Sequence, residues 1–598
     1  MILESYLQAD APARAGLFVE FLQALKTMDG EAAAWARRAV SRDLDYSSLM
    51  KLRRFIAPQT PAKNRLRLAV LGGPTTTQLT QLLEMFLAGE GIECEIYEGP
   101  YGLFRQEILN PDSGLDRFKP QMLFLAVDAR DAAATPWTSL WETAHKKWGC
   151  AIIQNTFVIE PWAAAGHYAL RHAATKESGL HKINESFLRE APSYVTVHPL
   201  HNLAAEAGSS NWFDPRFYFD AKMPCAPESL VLYAHSVMSL IRALAGKSKK
   251  VLVLDLDNTL WGGTVGDVGA GGIVLGQGSA EGEAFLRFQE FAKALRERGI
   301  LLAACSKNDE AKAKEPFQSR KDMALKLDDF AYFAANWNNK ADNLRTIAQR
   351  LNLGLDSFVF VDDNPAERAL VRRMLPEAAV PDMPEDAAGY IAALGRHRYF
   401  ETAALTEEDA KRAAYYEQDA KRQALAAGSA DMDAFLSSLN MEATVEPVGA
   451  LNIERVAQLV NKSNQFNLTT RRRTAGEIRE LAARADWITL TVSLRDSLGD
   501  NGLISVVFLK RDGKVMDIDT WLMSCRVLQR GMEQFVLNEL VRRARDSGCG
   551  SLRGAYIPTE KNGLVKNHYA SLGFRKADEA WELTLDSFVP LKTHIQRG

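Results

Sequence analysis

Asp255 and Asp257 stand one residue apart just beyond an apolar run, in the string VLVLDLDNTLWGG (251–263). The run reads as a strand buried on both faces, and alternation sends both carboxylates in the same general direction. Two like charges so close are unfavourable unless a cation or a shared proton offsets them. A hard divalent ion does so, and oxygen ligands at a strand end suit Mg2+. The plain alternative is an ordinary strand followed by an Asp-rich turn. SFVFVDDN (357–364) repeats the device with Asp362 and Asp363, and LLAACSKND (301–309) ends a third apolar run on Ser306. Helices that start after such strands offer backbone N–H groups to an anion. Open parallel sheets bind ligands beyond the carboxyl ends of their strands.

The elements that must position these residues follow from the rhythm of the chain. Residues 1–60 have helical spacing and form a small helical lead-in. Strand-like runs at 65–73, 92–99, 121–127 and 150–157 alternate with helical stretches, an α/β rhythm that implies a mostly parallel sheet over 61–245. The basic GKSKK (246–250) enters a second α/β unit, 246–400, with strands expected at 251–257, 299–306, 331–336 and 357–363. A charged helical linker is expected over 401–445. The third unit, 446–598, has strands at 487–496, within 502–523 and at 551–558, and a helix from about Gln529. Its turn RDGK (511–514) lies between two alternating runs, so this sheet has an antiparallel part.

Composition bounds the rest. The 598 residues require three or four domains. Hydrophobic content of 47% and charged content of 25% are ordinary globular values. A formal net charge of -3 gives no reason to expect nucleic acid as a partner. The six cysteines (Cys94, Cys150, Cys225, Cys305, Cys525, Cys549) show no metal-type spacing and fit a reducing, cytoplasmic setting. The acidic, amphipathic start has no export-signal pattern and no apolar run of membrane length follows, so a soluble protein without membrane contact is expected.

DLDNT, CSKN, the lysine of NWNNKADN and VDDNPAE, in this order on strand ends, resemble the haloacid-dehalogenase (HAD) superfamily. The resemblance implies that Asp255 is the nucleophile that receives a phosphoryl group and Asp257 the general acid/base. It implies that Ser306 and Lys340 hold phosphoryl oxygens, with Lys307 or Lys314 as alternatives to Lys340. Asp255, Asp257, Asp362 and Asp363 would hold Mg2+, which together with Lys340 offsets phosphate charge so that a carboxylate can approach it. Asn258 and Thr259 form the turn. About fifty residues separate Asp257 from Ser306 and about twenty separate Lys340 from Asp362, which leaves no room for a separate cap domain. The glycine-rich 261–276 is either a short flap beside the site or a β-hairpin.

DLDNTLWGGTVGDVG, CSKND, NWNNK and VDDNPAER together look like the FkbH-like branch of that superfamily. Three C-terminal strings support this: GDNGLISVVF (499–508), DIDTWLMSCRVLQRGME (517–533) and YIPTEKNGLVKNHYASLGF (556–574), the last resembling a GNAT-type acyltransferase fold. The resemblance implies transfer of a glyceryl or related hydroxyacyl unit from 1,3-bisphosphoglycerate to the phosphopantetheine thiol of an acyl carrier protein, with loss of phosphate. Arg526, Val527, Arg530, Gly531 and Asn562 would line the pantetheine site, and Asn562 also shapes its loop. A thioester intermediate needs a cysteine. Cys525, beside Arg526 and before a helix, has surroundings that favour thiolate. Cys305 is its rival, although alternation turns it to the core if Ser306 faces the phosphate, and direct transfer to the carrier thiol is a third route. Tyr569 is either a general acid near the sulfur or a core ring, and His568 a base for the carrier thiol. Two other readings compete: a Mg2+-dependent phosphatase of small phosphoesters, and a carrier-binding scaffold with little catalysis. The segment from 61 to 245 resembles an SGNH-hydrolase fold but has Gly73, Pro74 and Thr75 where a serine is expected. Asn155 matches an oxyanion-hole position, and His181 and His201 cannot be assigned to a triad. A non-hydrolytic docking or shielding unit is expected.

Overall fold

The computed structural model describes every residue except 1, 29, 57–64, 133–134, 404–417, 419–421, 423–430, 464–465, 525–526, 529 and 560–561. Three sheets lie among the described residues. The first comprises β1 (Leu66–Gly72), β2 (Cys94–Glu98), β3 (Met122–Ala126), β4 (Ala151–Asn155) and β5 (Val195–His198). All its pairings are parallel and the order is β2-β1-β3-β4-β5. Helices cover both faces, which is why the strands read as unbroken apolar runs. Leu68 and Val70 pack with Leu79, Leu82 and Leu230 on one side, and Leu71 and Leu123 with Trp137 and Trp141 on the other. Strand β5 has no such run, because Thr196 and His198 interrupt it, and the sequence alone does not reveal it. The helical lead-in packs Leu52 against Met85 of the helix Thr77–Gly89. It also meets the second unit, where Ala11 N–H donates to Asp382 Oδ2 at 3.0 Å.

The second sheet comprises β6 (Val251–Leu254), β7 (Leu301–Ser306), β8 (Phe330–Ala335) and β9 (Phe358–Val361). It is wholly parallel, in the order β8-β7-β6-β9, so all four carboxyl ends share one edge. Strands β6 and β9 stop just before Asp255 and Asp362, which places the acids on the loops beyond the ladder. Only helices occupy the interval between β6 and β7. The glycine-rich 261–276 is a composite: Gly262 and Val274 exchange two 2.9 Å backbone hydrogen bonds, and the loop they close contains the helix Val265–Gly272, broken at Gly269.

The third sheet has the order β15-β16-β14-β13-β12-β11-β10-β17. Its strands are β10 (Glu442–Pro447), β11 (Trp487–Asp496), β12 (Gly499–Asp512), β13 (Val515–Met523), β14 (Ser551–Gly554), β15 (Arg575–Ala577), β16 (Ala580–Thr584) and β17 (Gln596–Arg597). Strands β10 to β13 are antiparallel, and the helix Met532–Asp546 crosses over to make β13 and β14 parallel. Strand β10 begins inside the stretch expected to be a helical linker. Most of 401–430 lies outside the described residues. Among the described residues no helix is long and apolar enough to cross a membrane.

Candidate active site

Strand β6 lies between β7 and β9, so Asp255 leaves the sheet at its centre, with its N–H donating to Val361 O at 2.9 Å. Asp255, Asp362 and Asp363 each present a carboxylate oxygen within 4.8 Å of the others. Lys340 opens the helix Lys340–Arg350, whose N-cap Asn339 accepts from Asp342 N. Its Nζ lies 3.0 Å from Asp255 Oδ2 and 2.5 Å from Asp362 Oδ2, and the residue is only 3% exposed. Burial alone would strip its proton, but the two carboxylates overcome that and raise its pKa. Three acids still outnumber one ammonium. Burial and the Asp255 charge hold Asp362 and Asp363 above the usual carboxylate range. Asp255 Oδ1 is buried and accepts no hydrogen bond. An oxygen-only donor set with surplus negative charge and an orphaned buried acceptor fits a hard divalent cation.

Asp257 departs from the expected metal set. Its Oδ1 accepts from Trp261 Nε1 at 2.9 Å and Val265 N at 3.0 Å, and its Oδ2 accepts from Asn308 Nδ2 at 2.9 Å. The strand has ended before it, so alternation no longer applies: Leu256 turns into the core and Asn258 adopts φ 55°. Burial, opposed by its N–H donors and aided by Asp255, raises the Asp257 pKa. That state suits a group that must carry a proton.

Ser306 is buried at the carboxyl end of β7, opposite Ala335. Lys307 and Lys314 pair with Glu367 at 2.6 Å and Glu310 at 2.5 Å, so Lys340 alone of the three lysines faces the acids. Cys305 alternates away from the site. It is 0% exposed among Val251, Val253, Ala341 and Leu344, and burial raises its thiol pKa well above the ordinary value. Cys305, the rival to Cys525 for carrying an acyl group, is therefore a thiol with neither access nor thiolate character.

Several neighbours were not expected at the site, and Thr259 was expected only to form the turn. Asn308 and Trp261 hold Asp257, Thr259 Oγ1 accepts from Asp363 N at 3.2 Å, and Arg368 NH1 donates to the carbonyls of Asp362 and Asp363 at 2.8 and 2.6 Å. Asn308 was legible as the second residue beyond Ser306, and Arg368 as the fourth beyond Asn364, one helical turn on. Tyr390, whose OH donates to Asn258 O at 2.8 Å, comes from too far along the chain to leave a local signal.

The third sheet offers a second opening in principle. Strands β13 and β14 pair only from Val515/Ser551 to Ile518/Gly554. Beyond that point the chain itself fills the gap. Leu468 N–H donates to Trp521 O and Met523 N–H to Phe466 O, both at 3.1 Å, and Ile557 N–H donates to Leu468 O at 2.9 Å. Asn562 Nδ2 donates to Asn467 O at 3.0 Å. These backbone groups of the expected pantetheine site are thus already paired. Asn562 shapes this loop. Val527 is in the core, Arg530 NH1 lies 3.6 Å from Asp496 Oδ2, and Gly531 (φ 82°) precedes the helix while its carbonyl accepts from Thr593 Oγ1. His568 is buried against Trp521 and Phe466, and burial lowers its pKa to about 4. Tyr569 is a core ring, its pKa raised by burial. Neither ring faces solvent as an acid or base for a carrier thiol. Cys525 and Arg526 lie outside the described residues.

At the first sheet, a Cβ on Gly73 would fall 1.8 Å from Asp131 Oδ2, so a serine there has no room unless Asp131 moves. Asn155 is fully buried between His198 Nδ1, at 2.8 Å, and the Tyr233 hydroxyl. His201 bonds Thr156 Oγ1 at 2.7 Å, and His181 is exposed.

The acid-lined parallel sheet defines a HAD-like phosphatase domain, and the mixed sheet an α+β domain. No family model and no curated protein matches the chain. Among solved structures it is similar to the N-terminal part of the protein BF1531 from Bacteroides fragilis, which contains a phosphatase domain and was crystallised with Mg. Identity is 33%, coverage is 62% of this chain and 98% of that one, and the TM-score is 0.54. The chain belongs to the same family as that phosphatase-domain protein. The third unit is similar to the ribosomal-protein-S18-alanine N-acetyltransferase of Escherichia coli (9% identity, 24% of this chain, 94% of that one, TM-score 0.20). It is also similar to the GNAT domain of S. lividans PAT (16% identity, 24% and 89% coverage, TM-score 0.20).

Proposed function

We propose that the chain is a Mg2+-dependent phosphatase of small phosphoesters that works through a phosphoryl group on Asp255. The observation that carries this reading is the buried cluster of Asp255, Asp362 and Asp363 with Lys340 and the orphaned Asp255 Oδ1. The BF1531 fragment, crystallised with Mg, supports the choice of ion. Asp255, Asp362 and Asp363 would hold Mg2+, which when bound offsets the charge of the phosphoryl oxygens. A carboxylate oxygen of Asp255 attacks phosphorus while the bond to the leaving oxygen breaks. Asp257 delivers its proton to that oxygen, which leaves as an alcohol. Asp257, now ionised, takes a proton from water, the water oxygen attacks phosphorus, and the aspartyl P–O bond breaks to restore Asp255. Lys340 and Ser306 hold phosphoryl oxygens throughout. Phosphate release from small phosphoesters tests the reading: it should need Mg2+, stop with a chelator and vanish in Asp255→Asn. Acid-quenched wild type should carry a phosphoryl mass gain on the peptide containing Asp255, and turnover without that adduct in trapping conditions would refute the route. Asp362→Asn should weaken Mg2+ at least about tenfold, and unchanged affinity would remove Asp362 from the metal site.

A second reading, glyceryl transfer to an acyl carrier protein, is supported by the presence of a GNAT-like unit in the same chain. The filled gap between β13 and β14 weighs against it. Intact mass of a phosphopantetheinylated carrier after incubation with 1,3-bisphosphoglycerate distinguishes them: a glyceryl gain favours transfer, and free phosphate alone favours the phosphatase.

A further inference from the structure

A cavity of about 880 Å3 is remote from the acids. Lys249 and Lys250 precede β6 and Arg298 precedes β7, so the cavity touches the amino ends of the second sheet, whereas the acids stand at its carboxyl ends. Its other walls are the amino ends of the first sheet and the segment Thr470–Thr474 of the third unit. The third and first units meet beside it at Gly149 and Gly476, where a Cβ on either would fall 2.7 Å from the other's Cα. Nine lysine or arginine residues line the cavity against four glutamates, in a chain whose formal net charge is -3. A cationic excess concentrated between low-dielectric walls attracts anions.

Two further features single out this wall. Thr470 has φ 49°, a conformation that costs a β-branched residue energy and recurs at ligand sites. It starts the run that delivers Arg472 and Arg473 to the cavity. Arg472 is partly buried, donates to the carbonyls of Val460 at 2.7 Å and Ser463 at 3.3 Å, and has its pKa lowered to about 10 by burial. Also lining the cavity, His145 and Tyr194 stack at 3.9 Å with ring planes 11° apart, a flat aromatic surface. The volume lies within the range of about 300–1,000 Å3 typical of organic ligands, far more than a single phosphate fills.

We propose that this cavity binds a phosphate-bearing organic anion of nucleotide size, its phosphates against Arg472 and Lys250 and its ring system towards Tyr194. Isothermal titration of the full chain with ADP, in chelator and at moderate salt, tests the proposal, with adenosine and pyrophosphate as partial probes. ADP should bind more tightly than either fragment, and binding should weaken as salt rises. Arg472→Gln and Lys250→Gln should each weaken ADP about tenfold, while Asp255→Asn binds it as wild type does. Thermal melting confirms that each variant is folded, and Lys250→Gln, half-exposed, decides the matter if Arg472→Gln does not fold. No ADP binding at about 1 mM, unchanged affinity in Lys250→Gln, or loss of binding in Asp255→Asn would overturn the proposal.

Discussion

The carboxyl edge of the second sheet and the gap between β13 and β14 are both places where strand ends separate and ligands commonly enter, yet they differ in how their polar groups are used. At the acid edge one buried carboxylate oxygen has no partner, and two of the three clustered acids share one lysine. At the gap the strand amides and carbonyls are engaged by Phe466 and Leu468, and the unpaired atoms are uncharged ring groups, Trp521 Nε1, His568 Nε2 and the Tyr569 hydroxyl, buried in the core. A buried polar group left waiting costs free energy that a ligand, an ion or an ordered water can return. A satisfied one gives a ligand nothing it does not already have. The comparison teaches that a strand gap whose backbone is already paired is closed to a ligand's main chain, whereas a crowded set of buried carboxylates stays open to a cation.

The largest effect that would break this contrast is catalytic. Asp255→Asn should lower phosphate release by roughly four orders of magnitude with no fall in melting temperature, because it removes a like charge from a crowded cluster. Wild-type turnover in a clean preparation would end the assignment. Lys340→Met should destabilise the fold by about 3–5 kcal/mol, since it leaves Asp255 and Asp362 buried without their cation. Carboxyl groups with folded pKa values raised above the unfolded value bind more protons in the fold, so the variant should melt higher at pH 5 than at pH 8. A melting temperature equal to wild type at pH 8 would show the cluster to be solvated.

At the gap the effects are smaller. His568 is neutral in the fold down to about 4, whereas an unfolded histidine protonates near 6.5. Its contribution is complete above pH 6.5 and is lost as pH falls towards 4, by at most about 3 kcal/mol. Trp521, whose ring centroid lies 4.5 Å from that of His568, should report this loss by fluorescence in urea titrations, and His568→Phe should flatten the acid limb. An unchanged acid limb in that variant would assign the loss to other groups. The smallest effect sharpens the comparison directly. Leu468→Pro removes the N–H that pairs with Trp521 O and should cost about 1–3 kcal/mol. Pantetheine, which carries no phosphate, should leave the Trp521 fluorescence of the wild-type chain unchanged, and a saturable change would show that the gap opens.

The acid edge was legible because its parts follow strands whose apolar runs announce them: Asp255 after VLVL, Ser306 at the end of LLAACS, Asp362 after FVFV. Lys340 was legible only with alternatives, since Lys307 and Lys314 carry the same charge, and their carboxylate partners remove them only in three dimensions. Asp257 was placed in the metal set because alternation was extended three residues past the end of the strand at Leu254. The filling of the gap was not legible, because Phe466–Leu468 lies more than fifty residues before Trp521 and has no strand pattern of its own.

The chain's sequence by itself determined the three α/β and α+β units, the parallel edge of the second sheet and the residue types on it, because burial on both faces and the loops beyond it are local, periodic constraints. The tertiary structure decided which oxygens remain unpaired, which thiol faces the core and which opening is closed, because each depends on what a distant segment brings to the same place, and hydrogen-bond satisfaction is a property of the whole neighbourhood.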